Sequence, residues 1–135
     1  EIDLRVIVVG CKPGIGDSRF QELGMVPFDQ VAEIYRRSHV IVIPTLEDGI
    51  ACCIQEAMAS GAVPITTKEA AEVFTDGVSG FEVPYRDSSN IADRIRELYE
   101  DPGLCRQMAL EARAEAEGQT WARFKNEFST IIRGL

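Results

Sequence analysis

Short runs of β-branched residues alternate with helical patterns along this chain, and the alternation limits the folds that it can adopt. Residues 4–9 (LRVIVV) and 39–43 (HVIVI) are nearly continuous apolar runs, which are typical of strands buried on both faces of a parallel sheet. Shorter strand candidates lie at residues 62–66, 80–85 and 20–26. We therefore expect an α/β fold with a Rossmann-like parallel sheet flanked by helices.

Helical periodicity fills the segments between these strands. Val31, Ile34 and Tyr35 have the spacing of one helix face, which predicts a helix over residues 28–38. Further helices are predicted over residues 50–60, 89–101, about 104–117 and 121–133. Ligands of such folds bind at the carboxyl ends of the strands, so the turns that follow the strands are the places to search for a site.

Length, charge and hydropathy exclude several classes of protein. The 135 residues suit one domain with its own core. The longest apolar runs have strand length, well below the ~20 residues of a transmembrane helix, so no membrane-spanning segment is expected. A net charge of −8 argues against a nucleic-acid partner, because binding to polyphosphate needs a basic surface. The chain opens on EIDLR without Met, and we expect it to be part of a longer protein.

The four cysteines and the single histidine give no metal-binding pattern. Cys11, Cys52, Cys53 and Cys105 form no Cys-x-x-Cys pair, and His39 stands apart from them. Cys52 and Cys53 lie among apolar residues, so we interpret them as small buried hydrophobes of a cytoplasmic protein with reduced thiols. We expect no metal and no cofactor.

The first candidate site is the glycine-containing loop VIVVGCKPGIGD. Gly10, Gly14 and Gly16 follow a strand with a spacing that resembles the dinucleotide-binding turn of short-chain dehydrogenases. That turn must open a helix, but residues 17–24 show no apolar helical stripe. The catalytic Tyr-x-x-x-Lys of that family is also missing. An ordinary Gly/Pro-rich loop is the favoured interpretation, with a nucleotide-contacting loop of another kind as the alternative.

The second candidate site is EDGIACCIQEAMASG, where the carboxylate of Glu56 stands among small and apolar residues. Helical spacing predicts that Ile54, Ala57 and Met58 pack on the sheet, while Cys52 and Glu56 share another face. A buried or half-buried carboxylate is costly unless it is hydrogen-bonded. Two interpretations stay open: Glu56 pairs with an Arg or a backbone group, or it accepts hydrogen bonds from the vicinal hydroxyls of a sugar ring.

The entrance to this segment adds a phosphate-binding possibility. Gly49 follows a strand and a loop, and the N–H groups of Ile50, Ala51 and Cys52 would face outward at a helix N-terminus, which favours phosphate. Asp48 could cap the same helix. A phosphate at the N-terminus and a ribose one to two turns along it would together accommodate a nucleoside diphosphate.

Three stretches carry a resemblance to a known family. The run YRRSHVIVIPTLEDGIACCIQEAMASGAVPITT resembles the donor-binding core of GT-B glycosyltransferases, above all retaining family 4 (glycosyl transferases group 1), whose Glu-x7-Glu signature here reads Asp48-x7-Glu56. The stretches AEVFTDGVSGFEV and FQELGMVPFDQVAEIY resemble later and earlier parts of the same domain. The similarity covers nearly the whole chain and implies a single but partial C-terminal, nucleotide-sugar-binding domain over residues 1–135, without the N-terminal acceptor domain.

The resemblance implies a role for each residue of the site. Glu56 would hold the ribose hydroxyls of a nucleotide-diphosphate sugar, and Asp48 would act at the transferred sugar or its phosphates. The backbone of Gly49, Ile50 and Ala51 would contact the phosphates and the sugar. The turn at Val26 and Pro27 would lie against the nucleobase. The reaction would be retaining transfer of a hexosyl-type group in the assembly of polysaccharide, lipopolysaccharide or a related glycoconjugate.

This sequence also departs from the family pattern. The first acid is Asp48 instead of Glu, Ala51 replaces a glycine, and a Gly-Gly pair is replaced by the sequence TTKEAAE. The Arg and Lys that neutralise the diphosphate in the family precede the region seen here, so we expect this chain alone to transfer no sugar at a useful rate. A saccharide or lipid-linked acceptor would bind through the missing domain, which could also hold the cytoplasmic enzyme at the inner membrane. The alternatives are a non-catalytic nucleotide-sugar-binding or interaction module and a sugar-nucleotide epimerase.

Overall fold

Within the residues that the structure describes, five parallel strands and five α-helices alternate along most of the chain. The computed structural model describes residues 2–46 and 52–134. The strands are β1 (Val6–Val9), β2 (Phe20–Gly24), β3 (Val40–Ile43), β4 (Val63–Thr67) and β5 (Phe81–Val83). The helices are α1 (Phe28–Arg36), α2 (Cys52–Ala59), α3 (Ser88–Glu100), α4 (Pro102–Gly118) and α5 (Trp121–Arg133), with a 3₁₀ helix over Lys68–Val73. The predicted α/β class is confirmed.

The strands form two sheets in which every pair is parallel. β1 pairs with β2, and β4 lies between β3 and β5. Within the described ranges, neither β1 nor β3 has a strand on its second edge. The predicted single sheet is therefore divided into two, and the open edges of β1 and β3 could each accept a further strand.

The link between β1 and β2 contains no helix, although parallel strands usually need a crossover helix. Residues 10–19, all of them described, connect the two strands as loop and turn. No helix therefore covers the sheet at this point, and the side chains of β1 remain partly exposed, with Val9 at 41%. The expectation that residues 4–9 are buried on both faces is wrong for this reason.

The hydrophobic core surrounds β4, whose five residues are all buried. On one side α2 and the 3₁₀ helix pack with α4 through Ile54, Met58 and Phe74. On the other side α3 and α4 cover β4 and β5, with Leu98 and Met108 almost fully buried. Burial of a large apolar side chain of this kind stabilises a fold by about 1.5–3 kcal/mol.

Side-chain caps fix the starts of the last three helices. Asp87 caps α3 by accepting a hydrogen bond from the N–H of Asn90 at 3.0 Å. Asp101 caps α4, which begins at Pro102, and Thr120 caps α5. Proline is favoured at the first helical position because it lacks an N–H that would need a partner there.

The last helix, α5, exposes its apolar side. Trp121 is 85% exposed, and Phe124, Phe128, Ile131 and Ile132 each expose more than half of their surface. The rings of Trp121 and Phe124 meet edge to face, with centroids 5.9 Å apart. Among the described helices, none combines the length and the apolar composition needed to cross a bilayer.

Candidate functional site

Glu56 lies on the outer side of α2. Ile54, Ala57 and Met58 are fully buried, as their helical spacing predicts, whereas Cys52 and Glu56 face solvent. The expectation that Glu56 is buried or half-buried, and that Cys52 is a buried hydrophobe, is wrong because the opposite side of α2 already fills the core. The carboxylate is therefore accessible to a ligand.

A tyrosine on the neighbouring helix lies near this carboxylate. The side chain of Tyr35, near the end of α1, is close enough to Glu56 for the two groups to interact electrostatically. Tyr35 is half-buried. Its burial, followed by the nearby thiol of Cys53 and the carboxylate of Glu56, raises the pKa of Tyr35 to about 12, because each of these favours the neutral phenol over the phenolate.

Sequence reasoning missed the proximity of Tyr35 to Glu56. Periodicity predicts that Tyr35 belongs to the packing stripe of α1, and the sequence suggests an Arg or a backbone group as the partner of Glu56. The structure places a phenol near this carboxylate. The family pattern begins with this tyrosine, and that was the available signal. Local spacing cannot show that the tyrosine lies near a carboxylate 21 positions later.

Residues 47–51, directly before α2, fall outside the described residues. Asp48, Gly49, Ile50 and Ala51 belong to this segment, so their proposed contacts with the diphosphate and the sugar stay predictions. The structure does describe the chain on both sides of the segment, up to residue 46 and from residue 52.

Two buried threonines fix the chain where it leaves β3. The hydroxyl of Thr66 donates to the carbonyl of Ile43 at 2.5 Å, and that of Thr67 donates to the carbonyl of Thr45 at 2.5 Å. Both threonines are at most 1% exposed. The chain directly after β3, up to Thr45, is thereby held at the carboxyl end of the sheet. Ligands of parallel α/β folds bind at this edge.

Val26 and Pro27 lie on the wall of a cleft of about 510 Å³ between the two-stranded sheet and α1. Pro27 is the N-cap of α1, whereas Tyr35 lies at the other end of the same helix, about 12 Å away along its axis at ~1.5 Å per residue. The structure thus places Glu56 near the Tyr35 end of α1, but it does not bring Val26 and Pro27 next to Glu56.

The glycine-containing loop binds a carboxylate of its own chain. Glu22, on β2, accepts hydrogen bonds from the N–H groups of Gly14 at 3.1 Å and Ile15 at 2.8 Å. Two of the N–H groups that could contact a pyrophosphate are therefore engaged, and the fully described residues 10–19 open no helix. Both observations support the interpretation as an ordinary loop.

The parallel strands and the helices between them define a Rossmann-like α/β domain. The pattern of the family described as "Glycosyl transferases group 1" matches residues 2–101. The chain belongs to this family.

Individual relatives agree with this assignment. The chain is 31% identical over 103 residues to "Putative glycosyltransferase EpsD" of Bacillus subtilis, a match that covers 75% of this chain and 27% of the relative. It is 28% identical over 138 residues to "D-inositol 3-phosphate glycosyltransferase" of Nocardia farcinica, covering 88% of this chain and 30% of the relative. The chain thus spans less than a third of the length of these two relatives.

Solved structures share the fold. The C-terminal domain of the group 1 glycosyltransferase LpcC from Francisella tularensis superimposes with a TM-score of 0.71 and 25% identity, covering 76% of this chain and 54% of that domain. Anabaena Alr3699/HepE, solved in complex with UDP, superimposes with a TM-score of 0.83 and 20% identity, covering 98% of this chain and 41% of that protein. The architecture is that of the C-terminal domain of GT-B glycosyltransferases.

Proposed function

We propose that this chain forms part of the nucleotide-sugar-binding domain of a glycosyltransferase. The complete enzyme would transfer a hexosyl-type group from a nucleotide-diphosphate sugar, with retention at the anomeric carbon, in the assembly of polysaccharide or a related glycoconjugate. Membership of the family supports this function, as do its relatives, including HepE solved with UDP-glucose. The observation that carries the proposal is the accessible carboxylate of Glu56 on the outer side of α2.

Each predicted site residue has a chemical task in this proposal. Glu56 accepts hydrogen bonds from the vicinal ribose hydroxyls, and these bonds are charge-assisted because the acceptor is a carboxylate. Gly49, Ile50 and Ala51 offer backbone N–H groups to the diphosphate. Asp48 acts at the transferred sugar.

The nucleobase would lie at the other end of α1. Val26 and Pro27 supply one wall of the cleft there, and a partly apolar cleft suits the flat face of a base. A nucleoside that extends along α1 from this cleft towards Glu56 would use both ends of the helix.

We further propose that residues 1–135 are only part of that domain. The second edges of β1 and β3 carry no strand within the described residues, and a parallel strand from elsewhere in the enzyme could pair with them. The chain also covers only 54% of the LpcC domain. A separate N-terminal domain would bind the saccharide or lipid-linked acceptor, in the cytoplasm or at the inner face of the membrane.

This chain alone should bind a nucleotide but transfer no sugar. Charge on the leaving diphosphate must be stabilised during transfer, and the nearby cations are few. Arg36 forms an ion pair with Glu33 at 2.8 Å, while Lys68 begins the 3₁₀ helix directly after β4. The second candidate function, a binding module without transfer, is favoured by this shortage of cations near the site.

Isothermal titration calorimetry of UDP, GDP and ADP tests the binding function. We expect Glu56→Ala to weaken binding of the preferred nucleotide about 10- to 100-fold, the usual effect of losing hydrogen bonds to a charged group. Glu111→Ala, which removes an exposed carboxylate from α4, is the matched control and should leave affinity unchanged. Equal affinity of wild type and Glu56→Ala would refute the role of Glu56.

Assays of sugar transfer then separate the two candidate functions. The complete enzyme is expected to turn over a nucleotide-diphosphate sugar, and Glu56→Ala should reduce that rate. Binding without any turnover by the complete protein would favour the binding module. Turnover by residues 1–135 alone would contradict the proposal that this chain is inactive by itself.

A further inference from the structure

Two cationic side chains follow adjacent strands of the three-stranded sheet. Lys68 comes directly after β4, and Arg86 lies three residues after the end of β5. We propose that Lys68 and Arg86 form a cationic subsite for the terminal phosphate of a nucleoside diphosphate. This inference rests on the proposed function, because it assumes that a nucleotide binds at the carboxyl edge of the sheet. It adds positive charge to a site whose other predicted polar groups are carboxylates and backbone N–H groups.

The register of the sheet brings these two cations to the same edge. β4 and β5 are parallel, and Thr67, the last residue of β4, is the partner of Val83, the last residue of β5. Both strands therefore end at the same level, and adjacent strands lie only about 4.8 Å apart. The carboxyl ends of parallel strands form the edge at which such folds bind their ligands.

A hydrogen bond places Lys68 beside the chain that leads to the predicted diphosphate contacts. The hydroxyl of Thr67, the residue before Lys68, donates to the carbonyl of Thr45 at 2.5 Å. Residues 49–51, whose backbone is proposed to bind the diphosphate, begin four positions after Thr45 in the sequence. Lys68 is therefore attached at the part of the sheet edge from which that segment starts.

Arg86 is held in a backbone conformation that favours glycine. Its φ of 56° makes it the one non-glycine residue with a positive φ in the part of the chain that the structure describes. It stands third in the turn from Pro84 to Asp87, which the N–H of Asp87 closes by donating to the carbonyl of Pro84 at 3.3 Å. Strain of this kind at a ligand-binding edge indicates a task for the side chain that glycine could not perform.

Neither cation is neutralised by a carboxylate of the described residues. Lys68 and Arg86 are exposed, and they take part in none of the ion pairs there, which engage six other arginines. The neighbouring carboxylate of Asp87 is engaged in capping α3. Because a net charge of −8 repels a diphosphate at long range, unpaired cations at the ligand edge are needed to offset that repulsion locally.

Calorimetric titration of residues 1–135 with nucleotides of different phosphate number tests this inference. UDP, GDP and ADP are titrated first, and the tightest of them is then compared with the monophosphate of the same base. The ratio of the two dissociation constants isolates recognition of the terminal phosphate. Wild type is compared with Lys68→Met, which keeps the length of the side chain, with Arg86→Gly, which relieves the positive φ, and with the double variant.

We expect wild type to prefer the diphosphate, and each single variant should reduce this preference by about three- to tenfold, the usual effect of losing one interaction with a charged group at an accessible site. Because Arg86→Gly is expected to stabilise the fold, weaker binding by this variant cannot be attributed to unfolding. Raising NaCl from about 0.05 to about 0.5 M should reduce the preference of wild type more than that of the double variant. Lys125→Met removes an exposed lysine from α5 and should leave the ratio unchanged.

The outcomes separate this inference from the function on which it rests. If wild type binds the mono- and diphosphate equally, or if either single variant keeps the wild-type ratio, the subsite is overturned and the nucleotide-binding function stands. Equal weakening of both nucleotides by a variant, or an equal loss of preference in Lys125→Met, also overturns the subsite, because the effect would not depend on contact with the terminal phosphate. If wild type binds none of the nucleotides, both proposals fail.

Discussion

Gly80, at the start of β5, is predicted to be one of the least replaceable residues of the fold. A methyl group at this position would lie 2.6 Å from Cγ of Pro64 and 2.7 and 2.8 Å from two ring carbons of Phe74. Non-bonded carbon atoms pack at about 3.5–4.0 Å. The backbone of Gly80 thus lies directly against two side chains of the core, and no space remains for a Cβ.

The cost of Gly80→Ala follows from how little these neighbours can move. Pro64 is a closed ring on the central strand and is fully buried, and Phe74 is 9% exposed. Overpacking of a well-packed core typically costs about 1–3 kcal/mol, and three contacts that are each roughly 1 Å too short place this variant towards the upper end of that range. For a domain of this size, such a loss lowers Tm by about 5–15 °C.

Urea and thermal unfolding followed by circular dichroism measure this cost. A double-mutant cycle with Phe74→Leu tests whether the cost arises from the contacts with Phe74, because the smaller side chain removes the two ring contacts. We expect Gly80→Ala and Phe74→Leu together to be less destabilising than the sum of the single variants by about 1 kcal/mol. Gly80→Ala within about 0.5 kcal/mol of wild type would refute the packing argument.

A second glycine provides the matched control. A Cβ at Gly118, the last residue of α4, meets nothing within 4 Å, and its backbone is in a conformation that alanine adopts. Gly118→Ala should therefore leave stability unchanged or raise it by up to about 1 kcal/mol, since alanine has less backbone freedom in the unfolded chain. Destabilisation by both variants would indicate a cost that does not depend on the space around the methyl group.

Three further predictions concern the phenol, a strained turn and the exposed helix. Because the pKa of Tyr35 is raised to about 12 from about 10 in unfolded chains, its contribution to stability is complete below pH ~10 and is lost as the pH rises through ~12. After a discount for solvent screening we expect the free energy of unfolding, measured in urea, to fall by about 1 kcal/mol across this pH window. Tyr35→Phe should not show this fall. An equal loss of stability at alkaline pH in the two proteins would contradict the prediction. Arg86 has φ of 56°, so Arg86→Gly should raise the free energy of unfolding by about 0.5–1 kcal/mol, and lower stability in urea would be the contrary result. Replacing Phe124 and Phe128 by Glu should reduce self-association of this chain in analytical ultracentrifugation, and unchanged sedimentation would show that the face does not mediate it.

Sequence reasoning predicted each element because local periodicity carries that information. Every strand and α-helix expected in the described ranges is present, with bounds that shift by at most two residues. The buried side of α2 was also predicted, since Ile54, Ala57 and Met58 follow the helical period. Local patterns sufficed here because each depends on residues a few positions apart.

The errors concern relations between distant parts of the chain. The apolar run of β1 predicted burial on both faces, but burial depends on neighbours, and the loop to β2 contains no helix to supply one. The separation into two sheets depends on which edges pair, which no single strand encodes. Tyr35 and Glu56 lie close together on two helices that β3 separates in the sequence. Residue spacing could assign each of them to its helix but could not show that they are neighbours.

The sparse burial of the two-stranded sheet has a consequence for ligand binding. Every buried hydrophobic residue of the described ranges lies between residues 54 and 112, so β1 and β2 depend on backbone hydrogen bonds and half-covered side chains. Such an element opens locally at a lower free energy than the core, and its amide hydrogens should exchange with solvent much faster than those of β4. Since the cleft of Val26 and Pro27 lies against this sheet, a nucleobase bound there would also slow that exchange, and ordering of the sheet would be part of the free energy of binding.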